Sequence, residues 1–319
     1  MPMTQPDSLA RGCHGIDIGG TKIELVSFDG AMREVHRERI ATPGHDIAAF
    51  TAAIHALVRA ADTVLGARVP VGIGLPGITD AASGRQLSTN VPALNGRPAR
   101  QLLQATLDRP VAVGNDCQCF ALSEADGGAA DGLPTMFGAI LGTGAGGGFC
   151  ADGRLLRGRN GMAGEWGHWS VPADLLARHG LPLLDCPCGR AGCAERYVSG
   201  PGMRALHRHA GGDGAEPLAL AARANAGDDL AARTLDVHLD LLGHALSSVV
   251  LAFDPHAIVL GGGLSNLPHL YARLPPAIGR HLLRGVQAPA ILPPRFGDAG
   301  GARGAALLLR QQSHDNDRP

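Results

Sequence analysis

Apolar residues recur along this chain at two different periods. From His14 to Arg37 they fall in strand-length runs broken by glycine: HGIDIGGTKIELVSFDGAMREVHR reads as strand, Gly-rich turn, strand, short turn, strand. Residues 137–157, FGAILGTGAGGGFCADGRLLR, repeat that grammar, and each unit carries an Asp-Gly hairpin signal, Asp29-Gly30 and Asp152-Gly153. Helical spacing then takes over. Ala48 to Leu65 places Ile54, Leu57, Val58, Ala61 and Leu65 on one face. Residues 228–253 align Leu235, Leu239, Leu242, Leu246, Val249 and Phe253 in one stripe. Short β-rich runs, VPVGIGLPG and AIVLGGG, alternate with these helices, which predicts βα units and a largely parallel sheet in each half. Two similar α/β lobes, each opened by a Gly-rich hairpin, would leave a cleft suited to a ligand. Residues 1–13 and 311–319 lack periodicity and read as frayed tails.

The 319 residues suffice for one large domain or two ordinary ones. With 28 basic and 29 acidic side chains there is no electrostatic footprint for nucleic acid and no basic stretch for a membrane surface. No apolar run has the length of a signal peptide or approaches a membrane span, so the expected setting is the cytoplasm. The seven cysteines are then expected as thiols or metal ligands. Aromatics make up only 3%, against a base-stacking or carbohydrate-platform surface. Glycine is abundant, at 46 residues, yet glycine and proline together stay below the roughly 25–30% that marks low-complexity disorder, so the glycines serve local backbone needs.

Three glycine-bearing segments carry candidate chemistry. In GIDIGGTK the backbone at Gly19 and Gly20 can approach a charged ligand, Thr21 adds a hydroxyl, and Lys22, the sole lysine of the chain, adds a cation. Asp17 disfavours bare phosphate and points to a Mg²⁺-bound one. In LGTGAGGG, residues Gly142, Thr143, Gly144, Gly146 and Gly147 offer successive N–H groups as an anion nest; it lacks the ending of a P-loop. Gly262 and Gly263, in LGGGLS, permit close approach of a flat group such as adenine. Asn115-Asp116 stand at the end of an apolar strand, before a helix. There a carboxylate can serve as general base toward a hydroxyl, or the pair can simply cap the helix.

Cys186, Cys188 and Cys193 lie within eight residues punctuated by glycine, the spacing of a zinc knuckle lacking one ligand. His168 is the preferred fourth ligand, with His179 and Asp185 behind it. Three sulfurs and a nitrogen fill a tetrahedron, which makes the expected zinc structural and leaves no open position for a hydrolase. Glu165 and Glu195 flank this loop and could hydrogen-bond vicinal sugar hydroxyls.

Taken in order, DIGGTK, GLPG (74–77), GNDC, LGTGAGGG, GEWGH, CPCGRAGCAE and LGGGLS resemble the ROK sugar kinases, from Gly15 to about Leu309. NVPALNGRP (90–98), CFALSEA (119–125), VPADLL (171–176) and FGDAGG, ending at 301, resemble the bacterial N-acetylglucosamine kinases within that family. The resemblance implies a two-lobed actin/hexokinase-like ATPase fold with ribonuclease H-like lobes, an interdomain cleft and a structural zinc loop. The lobes would be 1–122, joined by 301–319, and 123–300. It implies ATP and Mg²⁺ at Asp17, Gly19 to Lys22, Gly142 to Gly147, Gly262 and Gly263, and zinc at His168, Cys186, Cys188 and Cys193. Sugar contacts fall to Asn90, Asn115, Asp116, Glu165, His168 and Glu195, with Asp116 the catalytic base for the 6-hydroxyl of N-acetyl-D-glucosamine. Fructokinase, glucokinase and mannokinase activities are the alternatives. A sugar-sensing repressor of the same family would need a DNA-binding domain, and only 14 residues precede Gly15. Cys117-Gln118 stand where many relatives have Ala-Asn, so the detail of the sugar pocket is expected to differ. A homodimer is expected, as is frequent in the family.

Overall fold

The structure, a computed structural model, describes residues 9–80, 82–88, 90–297 and 300–316. The chain divides into two compact units: residues 1–123, 154–163 and 299–319, and residues 124–153 and 164–298.

The first unit begins with β1 (Cys13–Ile18), β2 (Lys22–Phe28) and β3 (Glu34–Ala41), an antiparallel meander. The expected hairpin turn at Asp29-Gly30 takes a different form. Asp29 Oδ1 accepts the N–H groups of Ala31 and Arg33, and the left-handed residue is Met32 (φ 60°). Then follow α1 (Ile47–Leu65), β4 (Val71–Leu75), the small hairpin β5 (Ile78–Thr79) and β6 (Gln86–Leu87), α2 (Ala99–Leu107), β7 (Val111–Asn115) and α3 (Asp116–Ala125). Asp46 caps α1 by accepting from Ala48 and Ala49, and Gly66 in the left-handed region ends it. The sheet order is β3-β2-β1-β4-β7, with β1, β4 and β7 parallel. Ile16, Ile73, Phe50, Ile54 and Leu103 are among the fully buried side chains of its core.

The second unit opens on β8 (Thr135–Leu141) and β9 (Ala145–Ala151), an antiparallel hairpin. Asp152 and Gly153 both have positive φ (49° and 69°), as a type I′ turn requires, before β10 (Arg154–Leu155). The helices α4 (Ala173–Arg178), α5 (Glu195–Val198), α6 (Gly200–His209), α7 (Pro217–Asn225) and α8 (Asp229–Phe253) lead to β11 (Ala257–Gly261), α9 (Pro268–Gly279) and β12 (Ala290–Leu292). The strands run β9-β8-β11-β12, with β8, β11 and β12 parallel. Leu235, Leu239, Leu242, Leu246 and Val249 of α8 are buried, so the predicted stripe faces the core.

Last comes α10 (Gly300–Asn316), which returns to the first unit. Residues 311–316 are therefore helical and not a frayed tail, and Cys13 is a buried strand residue. The segment FGDAGG is described only in part, since Asp298 and Ala299 lie outside the described residues. Among the described residues two helices, α1 and α8, do reach membrane-span length and apolar composition. Both direct apolar faces into the core of their own unit, as Phe50 and Ile54, and Leu241 and Leu242, illustrate.

Candidate functional site

In the first unit the parallel strands bring their C-terminal ends into register. Asp17 of β1 pairs with Gly74 of β4, and Gly74 pairs with Gly114 of β7; one step on, Leu75 pairs with Asn115. Ligands commonly meet open α/β sheets at such an edge. The Asp17 carboxylate packs against Gly301 in the first turn of α10, where a Cβ would sit 2.5 Å from Oδ2. A Cβ on Gly74 would lie 3.6 Å from Asp17 Oδ1 and 3.7 Å from Asp116 Cα. Glycine at 74 thus keeps the floor between the two aspartates clear.

Asn115 is an N-cap: its Oδ1 accepts from the Gln118 N–H at 3.1 Å, while Nδ2 donates to Gly77 O at 3.0 Å. Asp116 opens α3, and its Oδ1 accepts from Cys117 N at 2.8 Å. The Asp116 residue keeps some exposure, but protein atoms crowd its carboxyl. Burial therefore raises its proton affinity above the ordinary aspartate range, and the Cys117 bond only partly opposes this. Burial, and then the charges of Asp17 and Asp116, push the neighbouring Cys119 thiol far up. The Arg157 charge opposes this shift, and the two carboxylates are donors of the kind a hard cation takes.

The Gly19–Lys22 segment is a tight turn, closed by Gly19 N donating to Lys22 O at 2.9 Å and braced by Thr42 Oγ1 on Gly19 O. A Cβ on Gly20 would lie 2.8 Å from Asn90 O, so Asn90 and this turn are neighbours. Lys22 is exposed at the head of β2.

In the second unit the Gly-rich turn is shorter than its sequence. Gly142, Thr143 and Gly144 connect the strands, but Gly146 and Gly147 lie buried inside β9, paired with Ile140 and Ala139. A Cβ on Gly147 would sit 2.4 Å from Gly138 O and 2.8 Å from the Phe137 ring. Gly147 serves packing, and of the five residues expected as an anion nest only 142–144 lie in the turn. The turn is held from three sides. Glu195 Oε2 accepts from Ala145 N at 2.9 Å, Gly200 N donates to Gly142 O at 2.9 Å, and Gly262 (φ 73°) abuts Leu141 O and Gly142 N. One carboxylate oxygen of Glu195, read from sequence as a sugar contact, is thus committed to the turn 50 residues away. Gly263 has open space where a Cβ would be.

GEWGH lies flat on β9. Cβ atoms on Gly164 and Gly167 would fall 2.2 Å from Gly147 O and 2.0 Å from Ala145 O, and Trp166 Nε1 donates to Gly146 O at 2.7 Å. This presents His168 to the cysteine loop. The ligand atoms of His168, Cys186, Cys188 and Cys193 all lie within 4.8 Å of one another. Cys188 and Cys193 sulfurs are 3.6 Å apart, and Cys186 Sγ is 3.8 Å from His168 Nδ1. A tetrahedral zinc with Zn–S and Zn–N bonds of about 2.3 and 2.0 Å would space its ligands roughly 3.5–3.8 Å apart, so the donor set fits. The other ring nitrogen, Nε2, faces Glu165 Oε2 at 3.7 Å. Of the lesser candidates, His179 hydrogen-bonds Asp240 at 2.8 Å and Asp185 pairs in a bridge with Ala191, outside the four-ligand group.

Two residues were not singled out by sequence reasoning. Gln118, flagged only as a departure, is 4% exposed and donates to the carbonyls of 157–163. Fully buried Glu124 accepts from Ala129, Arg295 and Phe296 N–H groups. Both act on backbone far along the chain, which no local motif announces.

The model of the ROK family matches residues 13–312. An N-acetylgalactosamine kinase of Shewanella sp. (strain ANA-3) is 48% identical over 295 residues, 92% of this chain and 96% of the relative. An N-acetyl-D-glucosamine kinase of Yersinia enterocolitica is 40% identical over 297 residues, 92% of this chain and 98% of the relative. Among solved structures, a ROK hexokinase from Thermus thermophilus superposes with a TM-score of 0.84 at 32% identity, covering 95% of this chain and 99% of that one.

Proposed function

Because the chain belongs to the ROK family, we propose that it transfers the γ-phosphoryl group of ATP to the 6-hydroxyl of N-acetyl-D-glucosamine. The observation that carries this reading is Asp116, a crowded carboxylate of raised proton affinity at the head of α3, two strand pairings (β1 to β4 to β7) from Asp17. Asp116 accepts the hydroxyl proton as the sugar oxygen bonds to the γ-phosphorus and the bond to ADP breaks. Its raised proton affinity brings it closer to that of the developing alcohol, which favours general-base catalysis. On this reading Asn115, which caps α3, and Asn90, which borders the Gly19–Lys22 turn, contact the acceptor. Glu165 and the Nε2 edge of His168 supply further sugar contacts.

The turns Gly19–Lys22 and Gly142–Gly144 present backbone N–H groups to the polyphosphate, with Lys22 adding charge and Gly262 and Gly263 on the nucleoside side. Asp17 would hold Mg²⁺, which neutralises charge on the transferring phosphoryl group. His168, Cys186, Cys188 and Cys193 would hold zinc, which supplies a rigid anchor for the loop and no reacting water. The setting is cytoplasmic and the assembly a homodimer on the same reading.

The 48% identity to a kinase of the 4-epimer supports a second reading, N-acetyl-D-galactosamine as acceptor. A coupled ADP-release assay across N-acetylglucosamine, N-acetylgalactosamine, glucose, mannose and fructose decides. The highest kcat/KM is expected for N-acetylglucosamine. A preference for its 4-epimer would move the assignment to the second reading, and a preference for an unacetylated hexose would sink both.

A further inference from the structure

Segment 157–163 of the first unit has little of its own to hold it. It has no helix or strand, and Gly158 and Gly161 adopt positive φ (71° and 67°). Its internal bonds, Gly161 N to Gly158 O and Ala163 N to Arg157 O, are both 3.4 Å long. The Gln118 carboxamide tethers it from outside. Nε2 donates to Ala163 O at 2.9 Å and Gly161 O at 3.2 Å, with Arg157 O at 3.5 Å. Gln118 sits two residues after Asp116 on a rigid, buried helix, so the tether runs from the base's own helix.

The segment forms one wall of a cavity of about 670 Å³, through Arg159, Asn160 and Met162. The β5–β6 hairpin lines it as well, with Thr79, Asp80 and Leu87. That hairpin is tied to the same helix turn, since Asn115 Nδ2 donates to Gly77 O just before Ile78. Both segments therefore hang from Asn115–Gln118. The volume lies within the roughly 300–1,000 Å³ of small-molecule sites, and the lining mixes amide, hydroxyl and charged groups with apolar ones.

We propose that Gln118 is a positioning residue for the acceptor: its carboxamide sets the 157–163 wall of this cavity, and the cavity receives part of the acceptor sugar. The proposal rests on the kinase reading above. Removing the donor leaves inward carbonyls unpaired, and the wall moves.

The test uses two variants of the full-length protein. Gln118→Met keeps volume and removes the donor; Gln118→Asn keeps a shorter carboxamide. For Gln118→Met the KM for the sugar should rise about tenfold, with kcat and the KM for ATP within about twofold, because only acceptor binding is disturbed. Amide exchange of 157–163 should accelerate, and Gln118→Asn should fall between wild type and Gln118→Met on both readouts. A wild-type sugar KM in Gln118→Met, or sugar and ATP KM rising in parallel, overturns the proposal; should Gln118→Met not fold, Gln118→Asn is held to the same criterion. The unmodified protein tests the kinase reading by itself, and the ratio of variant to wild type tests Gln118. Exchange reads the tether with no substrate present.

Discussion

Asp116 carries two opposed demands, and their conflict is measurable. Burial raises its pKa, so the ionised form is disfavoured in the folded protein relative to the unfolded chain. The sign follows: above that raised pKa the carboxylate costs stability, and below it the cost disappears. Asp116→Asn removes the charge and keeps the shape. We expect turnover to fall by at least about 10²–10⁴-fold, sugar affinity by titration calorimetry to stay within about threefold, and the melting temperature at pH 7 to rise. In the wild type, kcat/KM should decline on the acid side through a pKa above the usual aspartate value. Near-normal turnover in Asp116→Asn would remove it from the base role, and a lower melting temperature would show that its buried charge costs no stability. The place of Asp116, at the junction of an apolar strand and a helix, was legible in the sequence, while its role as base came from the resemblance to the ROK kinases. Glu195 was not legible in its observed role: it looked like a sugar ligand beside a metal loop, and its bond to Ala145 crosses 50 positions.

At the scale of elements, glycine had two meanings that sequence alone could not separate. In LGTGAGGG, positions 142–144 make the turn, while 146 and 147 lie in β9, and at 147 Phe137 and Gly138 leave no room for a side chain. The cysteine loop was more transparent, since Cys-x-Cys-x₄-Cys with glycines has few packing explanations, and the structure brings His168, the expected fourth ligand, to the three sulfurs from GEWGH, which lies flat on β9. Cys188 is the exposed member, so its replacement disturbs the core least. Cys188→Ser should reduce zinc from about one per chain to well below half by plasma emission analysis, because thiolate ligands carry most of the binding energy. Amide exchange should accelerate across 165–195, and the sugar KM should rise before the ATP KM does. Freshly purified wild-type protein without zinc would overturn the ligand assignment.

At the scale of the whole molecule, one architectural plan is used twice. The orders β2-β1-β4-β7 and β9-β8-β11-β12 each start with a hairpin and continue in parallel, and the repeated strand–glycine–strand pattern had announced it. What the pattern did not announce is how tightly the last helix closes the first unit. α10 packs through glycines as well as through its own buried Ala302, Ala306 and Leu308. Cβ atoms on Gly15, Gly72 and Gly304 would fall 1.9 Å from Ala302 O, 1.8 Å from Ala305 O and 1.7 Å from Cys119 O. Backbone touches backbone at all three, and backbone cannot rotate away as a side chain can. Overpacking usually costs about 1–3 kcal/mol when neighbours can shift, so Gly72→Val, which meets a rigid carbonyl, should cost about 3 kcal/mol or more. The loss should be local to one unit: amide exchange should accelerate in β1, β4 and α10, while β8 and β11 keep their protection. Uniform loss across both sheets, or a melting temperature unchanged by Gly72→Val, would show that α10 does not hold the first unit together through these glycines.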